Sequence, residues 1–242
     1  MKIIADGLSK KGGRKVNEDY AGFACRAKDG CFLVADGLGA KGGGDIASES
    51  VVETVLEEYQ EQPGIETDDI MRMLTAAQTE LLAEQKKDER RAGIRTTLVQ
   101  LVIEDGYAAW AHIGDSRLYR FRDGYVAFQT KDHSVPQTKV AAGEITADQI
   151  RNHPDRNRLT RAMGSPNAFR PAVLETPIRL ERDDAFLLCT DGFWEYVLEG
   201  EMEDTLDESR TPGEWLASME RILLTRAGAK HDNYAAVAVF LV

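Results

Sequence analysis

Apolar residues recur along this chain at two spacings. Short alternating or continuous apolar runs predict strands over residues 3–8, 20–26, 31–35, 96–104, 107–113, 118–121, 126–129, 172–180, 185–190 and 234–242. Helical spacing predicts a helix over residues 45–60, capped by Asp45, with Ile46, Val51, Val52, Val55, Leu56 and Tyr59 on one stripe. Pro63-Gly64 breaks the chain. A second helix then starts at Asp68 or Asp69, buries Ile70, Met71, Leu74, Ala77, Leu81 and Leu82, and runs into the solvated end QKKDERR. Thr211-Pro212-Gly213-Glu214 reads as a capping box with proline in the first turn of a third helix, which points Trp215, Leu216, Met219, Ile222 and Leu223 inward. Between strands and helices lies an irregular stretch, residues 134–169, with Pro136, Pro154 and Pro166, two short helical pieces and the basic cluster Arg151, Arg156, Arg158 and Arg161. An irregular insertion of that length in a compact domain is usually functional. No repeat, low-complexity tract or linker interrupts residues 1–242, so one domain is expected.

Six Asp-Gly pairs punctuate this pattern. Asp29-Gly30, Asp105-Gly106 and Asp123-Gly124 each fall between two strand-like runs and read as hairpin turns. Asp6-Gly7 is ambiguous. Asp36-Gly37 and Asp191-Gly192 differ: each ends a buried apolar run, CFLVA or AFLLCT, with no second alternating strand behind it. These two read as site residues. The stretch after Asp36, residues 39–44, is glycine-rich, and flexibility beside the site is the simpler reading of it.

Composition narrows the function. Apolar residues make up 43% and charged residues 29%, as in ordinary globular proteins, and the net charge of -11 argues against nucleic acid as a partner. No apolar run approaches the ~20 residues of a membrane span, and residues 1–11 lack a secretory apolar core. Three cysteines, Cys25, Cys31 and Cys189, all fall in strand-like runs without a C-x-x-C pair. They read as buried, reduced thiols of a cytoplasmic protein.

Four segments far apart in sequence each bring acids to a strand edge: Glu18 with Asp19, Asp36, Asp191 and Asp232. Carboxylates gathered in one cleft repel unless cations neutralise them, and oxygen-only donors select hard ions such as Mg²⁺ or Mn²⁺. Two such ions typically activate water for in-line attack on phosphorus. There is no G-x-x-x-x-G-K-[ST] loop, no cysteine followed six residues later by arginine, and no D-x-D pair.

Taken together, the segments Arg14-Lys15-Val16-Asn17-Glu18-Asp19, Val34-Ala35-Asp36-Gly37-Leu38-Gly39, Thr96-Thr97, Gly114-Asp115-Ser116-Arg117, Asp132-His133-Ser134, His153-Pro154 with residues 157–164, Thr190-Asp191-Gly192-Phe193-Trp194 and Asp232-Asn233 resemble the bacterial metal-dependent Ser/Thr protein phosphatases of the type-2C (PPM) family. The resemblance covers essentially the whole chain. It implies an α+β fold, a four-layer α-β-β-α sandwich of two antiparallel sheets flanked by helix pairs, with residues 134–169 as a flap beside the site. It implies that Asp36 bridges two Mn²⁺ or Mg²⁺ ions, that the Gly37 carbonyl binds one of them, and that Asp191 and Asp232 bind the other. Glu18 and Asp19 would hold metal-bound waters, Arg14 would grip the substrate phosphate, and Asp115 would help hold a labile third ion. The implied reaction is direct hydrolysis of phosphoserine or phosphothreonine in proteins by a metal-bridging hydroxide, opposing a Ser/Thr kinase, by a protein expected to be monomeric.

Some residues depart from the family pattern. Leu38 stands where many members carry a histidine, so a metal-bound water is the expected proton source for the leaving group. His133 and His153 are expected to pack and hydrogen-bond the flap; His112 and His231 read as structural. The flap arginines either contact a phosphopeptide or pair with acids of this acidic chain. Two other functions remain open at this point: a phosphoprotein-binding pseudophosphatase, and a hydrolase of small phosphoesters.

Overall fold

Two antiparallel sheets face each other in the computed structural model, which describes residues 1–39, 42–89 and 91–242. The strands are β1 (Ile3–Lys10), β2 (Asp19–Cys25), β3 (Gly30–Leu38), β4 (Arg95–Thr96), β5 (Leu98–Glu104), β6 (Tyr107–Ile113), β7 (Arg117–Arg122), β8 (Tyr125–Gln129), β9 (Ala172–Val173), β10 (Ile178–Arg179), β11 (Ala185–Cys189) and β12 (Tyr234–Leu241). One sheet runs β1-β12-β11-β7-β8; the other runs β10-β6-β5-β3-β2, with β4 on β3 and β9 on β6. The helices are α1 (Gly44–Glu61), α2 (Thr67–Glu84), α3 (Val135–Ala141), α4 (Asp191–Trp194), α5 (Glu199–Glu208) and α6 (Pro212–Arg226).

The period-2 pattern of the strands produces the layers. In β3, Phe32 and Val34 meet Phe186, Leu188, Val237 and Val239 between the sheets, while Cys31, Leu33 and Ala35 turn outward onto α1 and α2. In β12 and β11, Tyr234, Ala236, Ala238, Leu187 and Cys189 turn the other way, onto Phe193, Trp194, Met202, Trp215 and Met219. Each large side chain buried this way stabilises the fold by roughly 1.5–3 kcal/mol. The result is the four-layer α-β-β-α sandwich, with α1 and α2 on one face and α5 and α6 on the other.

Several sequence expectations are corrected. Asp45 lies in the first turn of α1 and is not its cap; Gly43, at φ 90°, takes that position. α2 begins at Thr67, where Glu66 and Asp69 form a reciprocal capping box. The expected strand over 172–180 is two short pairings with β6, because Pro177 offers no N–H to a ladder. Cys25 is exposed; only Cys31 and Cys189 are buried. Asp29 closes a four-residue hairpin loop by accepting from Arg26 N at 2.7 Å, whereas Asp105-Gly106 and Asp123-Gly124 are tight turns with both residues at positive φ. The glycine-rich stretch after Asp36 includes Ala40 and Lys41, and the charged end of α2 includes Arg90, all of which lie outside the described residues.

The segment 134–169 holds α3, a 3₁₀ turn at Ala147–Ile150 and little else. Its base is fixed by two stacked imidazoles, His112 and His133, with ring centroids 4.6 Å apart. Gly114 N donates to His133 Nδ1 at 3.2 Å, and His133 Nε2 faces Arg161 Nη1 at 3.3 Å. Burial, then the neighbouring His112 and Arg161, push the His133 pKa down to about 3. A base whose folded pKa lies below its unfolded value contributes stability above the unfolded value, near 6.5, that is lost as pH falls toward the folded one. Between pH 6.5 and 5 this single group is expected to cost at most about 2 kcal/mol, reduced by solvent screening. Urea unfolding across that range is expected to show a steeper loss in the parent than in His133→Gln; equal slopes would refute the assignment.

Candidate active site

The ends of β3 and β11 and the starts of β2 and β12 meet at one edge of the sandwich. Asp36 ends the buried run of β3, Asp191 opens α4 directly after β11, and Asp232 lies two residues before β12. The side chains of Arg14, Glu18, Asp36, Asp115, Asp191 and Asp232 line a pocket of about 340 Å³, with Gly37, Leu38, Gly39, Asn157, Leu159 and Asn233 completing the wall. Asp19 is not on that wall. It stands behind Asp36, its β-ladder partner, and accepts from Thr190 Oγ1 at 2.7 Å.

Neighbouring elements hold these acids in place. The Asp36 backbone is clamped by two adjacent threonines: its N donates to Thr97 Oγ1 at 2.9 Å, and its carbonyl accepts from Thr96 Oγ1 at 2.8 Å. Glu18 accepts from Gly44 N at 3.1 Å, at the start of α1. Asn233 ties the loop carrying Arg14 and Glu18 to β12, donating to the Lys11 and Val16 carbonyls and accepting from Glu18 N at 3.0 Å. Asp115 is fixed through its own carbonyl, which accepts from Trp194 Nε1 at 3.0 Å. The Trp194 ring in turn lies 3.5 Å under the Arg117 guanidinium, which forms a buried bidentate pair with Asp132. Sequence reasoning placed Asn233, Thr190, Asn157 and Leu159 in the family segments without giving any of them a role; those of Asn233 and Thr190 arise from contacts between segments up to 222 residues apart, such as Asn233 with Lys11.

Both glycines of the site pairs are required by contact, unlike Gly106 and Gly124 of the tight turns. A Cβ on Gly37 would lie 1.9 Å from the Gly44 carbonyl oxygen, and one on Gly192 would lie 1.9 Å from the Asn233 carbonyl oxygen. By contrast, Gly124 sits at φ 83° with open space around it.

The charges are not balanced within the protein. Burial raises the pKa of Asp36, Asp19 and Asp115 well above the carboxylate range, and repulsion from neighbouring acids, Asp191 in each case, adds to it. Asp191 is pushed up to about 7, by burial first and then by Glu195 and Asp232. Glu18 is raised less, since the Gly44 N–H offsets its burial. Among the described residues one cation reaches the wall: Arg14 Nη2 contacts Asp232 Oδ2 at 2.6 Å, with the arginine side chain 55% exposed. Among the described residues, no three acidic, histidine or cysteine side chains close around a single point. The carboxylates converge on a shared cavity and stand apart, as like charges do. An oxygen-only, cation-poor donor set of this kind fits hard divalent ions, not zinc or a soft metal.

The flap arginines are committed elsewhere. Arg151 pairs with Glu199, Arg156 with Glu195 and Arg158 with Asp155, while Arg161 donates to the Arg170 carbonyl. Of the two readings of this cluster, pairing within an acidic chain is the one seen. His153 bonds Lys139 and the Asp155 N–H, a packing role as expected.

Known proteins share this fold. The profile of the protein phosphatase 2C family matches residues 7–232. The chain is 31% identical over 236 residues to the serine/threonine phosphatase stp of Listeria welshimeri, covering 93% of this chain and 90% of that one. It is 32% identical over 196 residues to the protein phosphatase PhpP of Streptococcus pneumoniae, covering 79% and 78%. Among solved structures, the Mycobacterium tuberculosis serine/threonine phosphatase PstP/Ppp superposes with a TM-score of 0.87 at 27% identity, covering 100% of this chain and 99% of that one. The catalytic domain of PstP in complex with two manganese ions superposes with a TM-score of 0.85 at 25% identity, with coverage of 100% and 99%. This chain belongs to the protein phosphatase 2C family.

Proposed function

We propose that this chain hydrolyses phosphoserine and phosphothreonine in proteins, using divalent cations and opposing a Ser/Thr kinase as a cytoplasmic monomer. The observation that carries the reading is the convergence of Glu18, Asp36, Asp115, Asp191 and Asp232 on one pocket in a chain of this family. Asp36 and the Gly37 carbonyl, with Asp191 and Asp232, would hold two Mn²⁺ or Mg²⁺ ions; Asp115 would contribute to a third. Bound there, the ions supply charge neutralisation at the phosphoryl group and lower the pKa of water.

The rest of the chemistry belongs to the side chains. Glu18, oriented by Gly44 N, would fix water at the pocket wall, and Asp19, held by Thr190 behind Asp36, would do so from beneath it. Arg14 offers N–H donors beyond the one on Asp232, in a fork that matches phosphoryl oxygens. Leu38 has no proton to give, so the leaving alkoxide takes its proton from water in the open pocket.

A substrate profile with Mn²⁺ tests this reading. Phosphothreonine peptide and p-nitrophenyl phosphate are expected to be hydrolysed, and ATP to be left intact. A nucleotide preferred more than about tenfold in kcat/KM would favour a small-phosphoester hydrolase. No turnover of any ester by protein that binds Mn²⁺ would favour a phosphoprotein-binding role.

A further inference from the structure

Among the described residues, few side chains of the pocket wall can donate a hydrogen bond to a substrate. Carboxylates accept only when ionised, and Leu38 and Leu159 do neither. The Asn233 amide is spent on the Lys11 and Val16 carbonyls and on Glu18 N. Arg14 is one donor, already engaged with Asp232. The other is Asn157, which reaches the wall from the flap, is exposed, and has no hydrogen-bond partner for its side chain among the described residues.

Asn157 is free while its surroundings are fixed. One residue before it, Arg156 is paired with Glu195, next to α4. One residue after it, the Arg158 carbonyl accepts from Val135 N at 2.9 Å, and Leu159 bridges to Ser134. Two anchored flanks hold an uncommitted amide at the rim of the reaction pocket. Such an arrangement lowers the entropy lost when the group binds something.

We infer that Asn157 is a substrate-binding residue whose side-chain amide hydrogen-bonds the main chain of the phosphorylated peptide, next to the phosphoresidue; the inference rests on the proposed reaction. The phosphoryl group is a doubly charged acceptor best met by Arg14 and divalent ions. A neutral carboxamide carries one acceptor and two donors, the complement of a peptide group. It adds no charge to a pocket already rich in acids, and it reads any peptide sequence equally. Leu159 beside it offers an apolar surface for a neighbouring substrate side chain. The flap thereby selects phosphorylated polypeptide over small phosphoesters without using its arginines.

The test compares the parent with Asn157→Ala and Asn157→Asp in Mn²⁺. Two quantities are read: kcat/KM for a phosphothreonine peptide and for p-nitrophenyl phosphate, and calorimetric binding of a peptide carrying a non-hydrolysable phosphonate mimic of phosphothreonine. Loss of one hydrogen bond predicts peptide binding weakened about 5–10-fold in Asn157→Ala. The loss is larger in Asn157→Asp, which turns a donor into a charge facing a carbonyl. The fall in kcat/KM is expected to be at least about fivefold greater for the peptide than for the small ester, mostly in KM. Equal falls for both substrates would assign Asn157 to the phosphoryl group and overturn the inference, as would unchanged peptide binding in both variants. Because the binding arm needs no turnover, an inactive parent that binds the mimic more tightly than its variants would refute the proposed reaction while leaving Asn157 in its role. Asn157 is exposed and makes no side-chain bond, so all three proteins are expected to melt together.

Discussion

Asp36→Asn is expected to abolish turnover, by at least about a thousandfold, while raising the melting temperature of the cation-free protein. The two effects have one cause. Asp36 is half-buried beside Asp19 and within the field of Asp191, Asp115 and Asp232, so its charge is opposed by each of these acids. Asparagine keeps the shape and the clamped backbone, since the Thr96 and Thr97 hydroxyls bond only main-chain atoms of residue 36. It removes one charge from a crowded cluster, which favours the fold. It also removes the carboxylate placed to bridge two cations, and losing a principal electrostatic contributor costs about 10²–10³ in rate even for a single hydrogen-bond donor. Steady-state rates with Mn²⁺ and thermal melts in chelator measure the two effects on the same preparations. A variant that is less stable and less active in proportion would instead mean that Asp36 acts as a structural residue.

Gly37→Ala is expected to lower stability by about 3 kcal/mol or more, at the upper end of overpacking effects. Gly37 has no positive φ, so its backbone conformation does not demand glycine. The demand comes from space: the new methyl carbon would lie 1.9 Å from the Gly44 carbonyl oxygen and 2.6 Å from that of Glu18. Both obstacles are main chain and cannot rotate away. The end of β3, the start of α1 and the residue before β2 would have to separate, breaking Gly37 N to Glu18 O at 2.9 Å and Gly44 N to Glu18 Oε1 at 3.1 Å. A fall in melting temperature of about 6–12 °C follows from the usual scaling for a chain of this size. Gly124→Ala gives the comparison: its glycine is needed for φ alone, with nothing nearby, and about 1 kcal/mol is expected there. Equal losses at the two positions would show that the close approach at Gly37 does not exist in solution.

Where local chemistry decides structure, it was readable in the sequence. The tight turns at Asp105-Gly106 and Asp123-Gly124, the alternating faces of β3, β11 and β12, and the two Asp-Gly pairs at the site all follow from neighbouring residues. The carboxylates were legible because each ends or opens an apolar run. What escaped depends on distant partners. Helix α5 carries little apolar surface of its own and is held by Trp215, whose Nε1 donates to the Met202 carbonyl at 3.0 Å. Asn233 and Thr190 stand in family segments but show no role until the fold brings them against Glu18 and Asp19. The flap arginines look like a phosphate-binding patch in sequence, and only their pairing with Glu195, Glu199 and Asp155 shows them to be spoken for. Asn157 opens one of the family segments, but an asparagine there carries no signal of a role of its own. Its interest comes from being the amide left over.

The central claim is that the acidic pocket is a cation-dependent phosphoprotein hydrolase. Release of inorganic phosphate from a phosphothreonine peptide, measured as Mn²⁺ is titrated into chelator-treated protein, tests it most directly. Phosphate release that is absent in EDTA, restored by Mn²⁺ and missing at every Mn²⁺ concentration in Asp36→Asn is the predicted result. Release that persists in EDTA, or that Asp36→Asn retains at the parent's rate, would contradict the account.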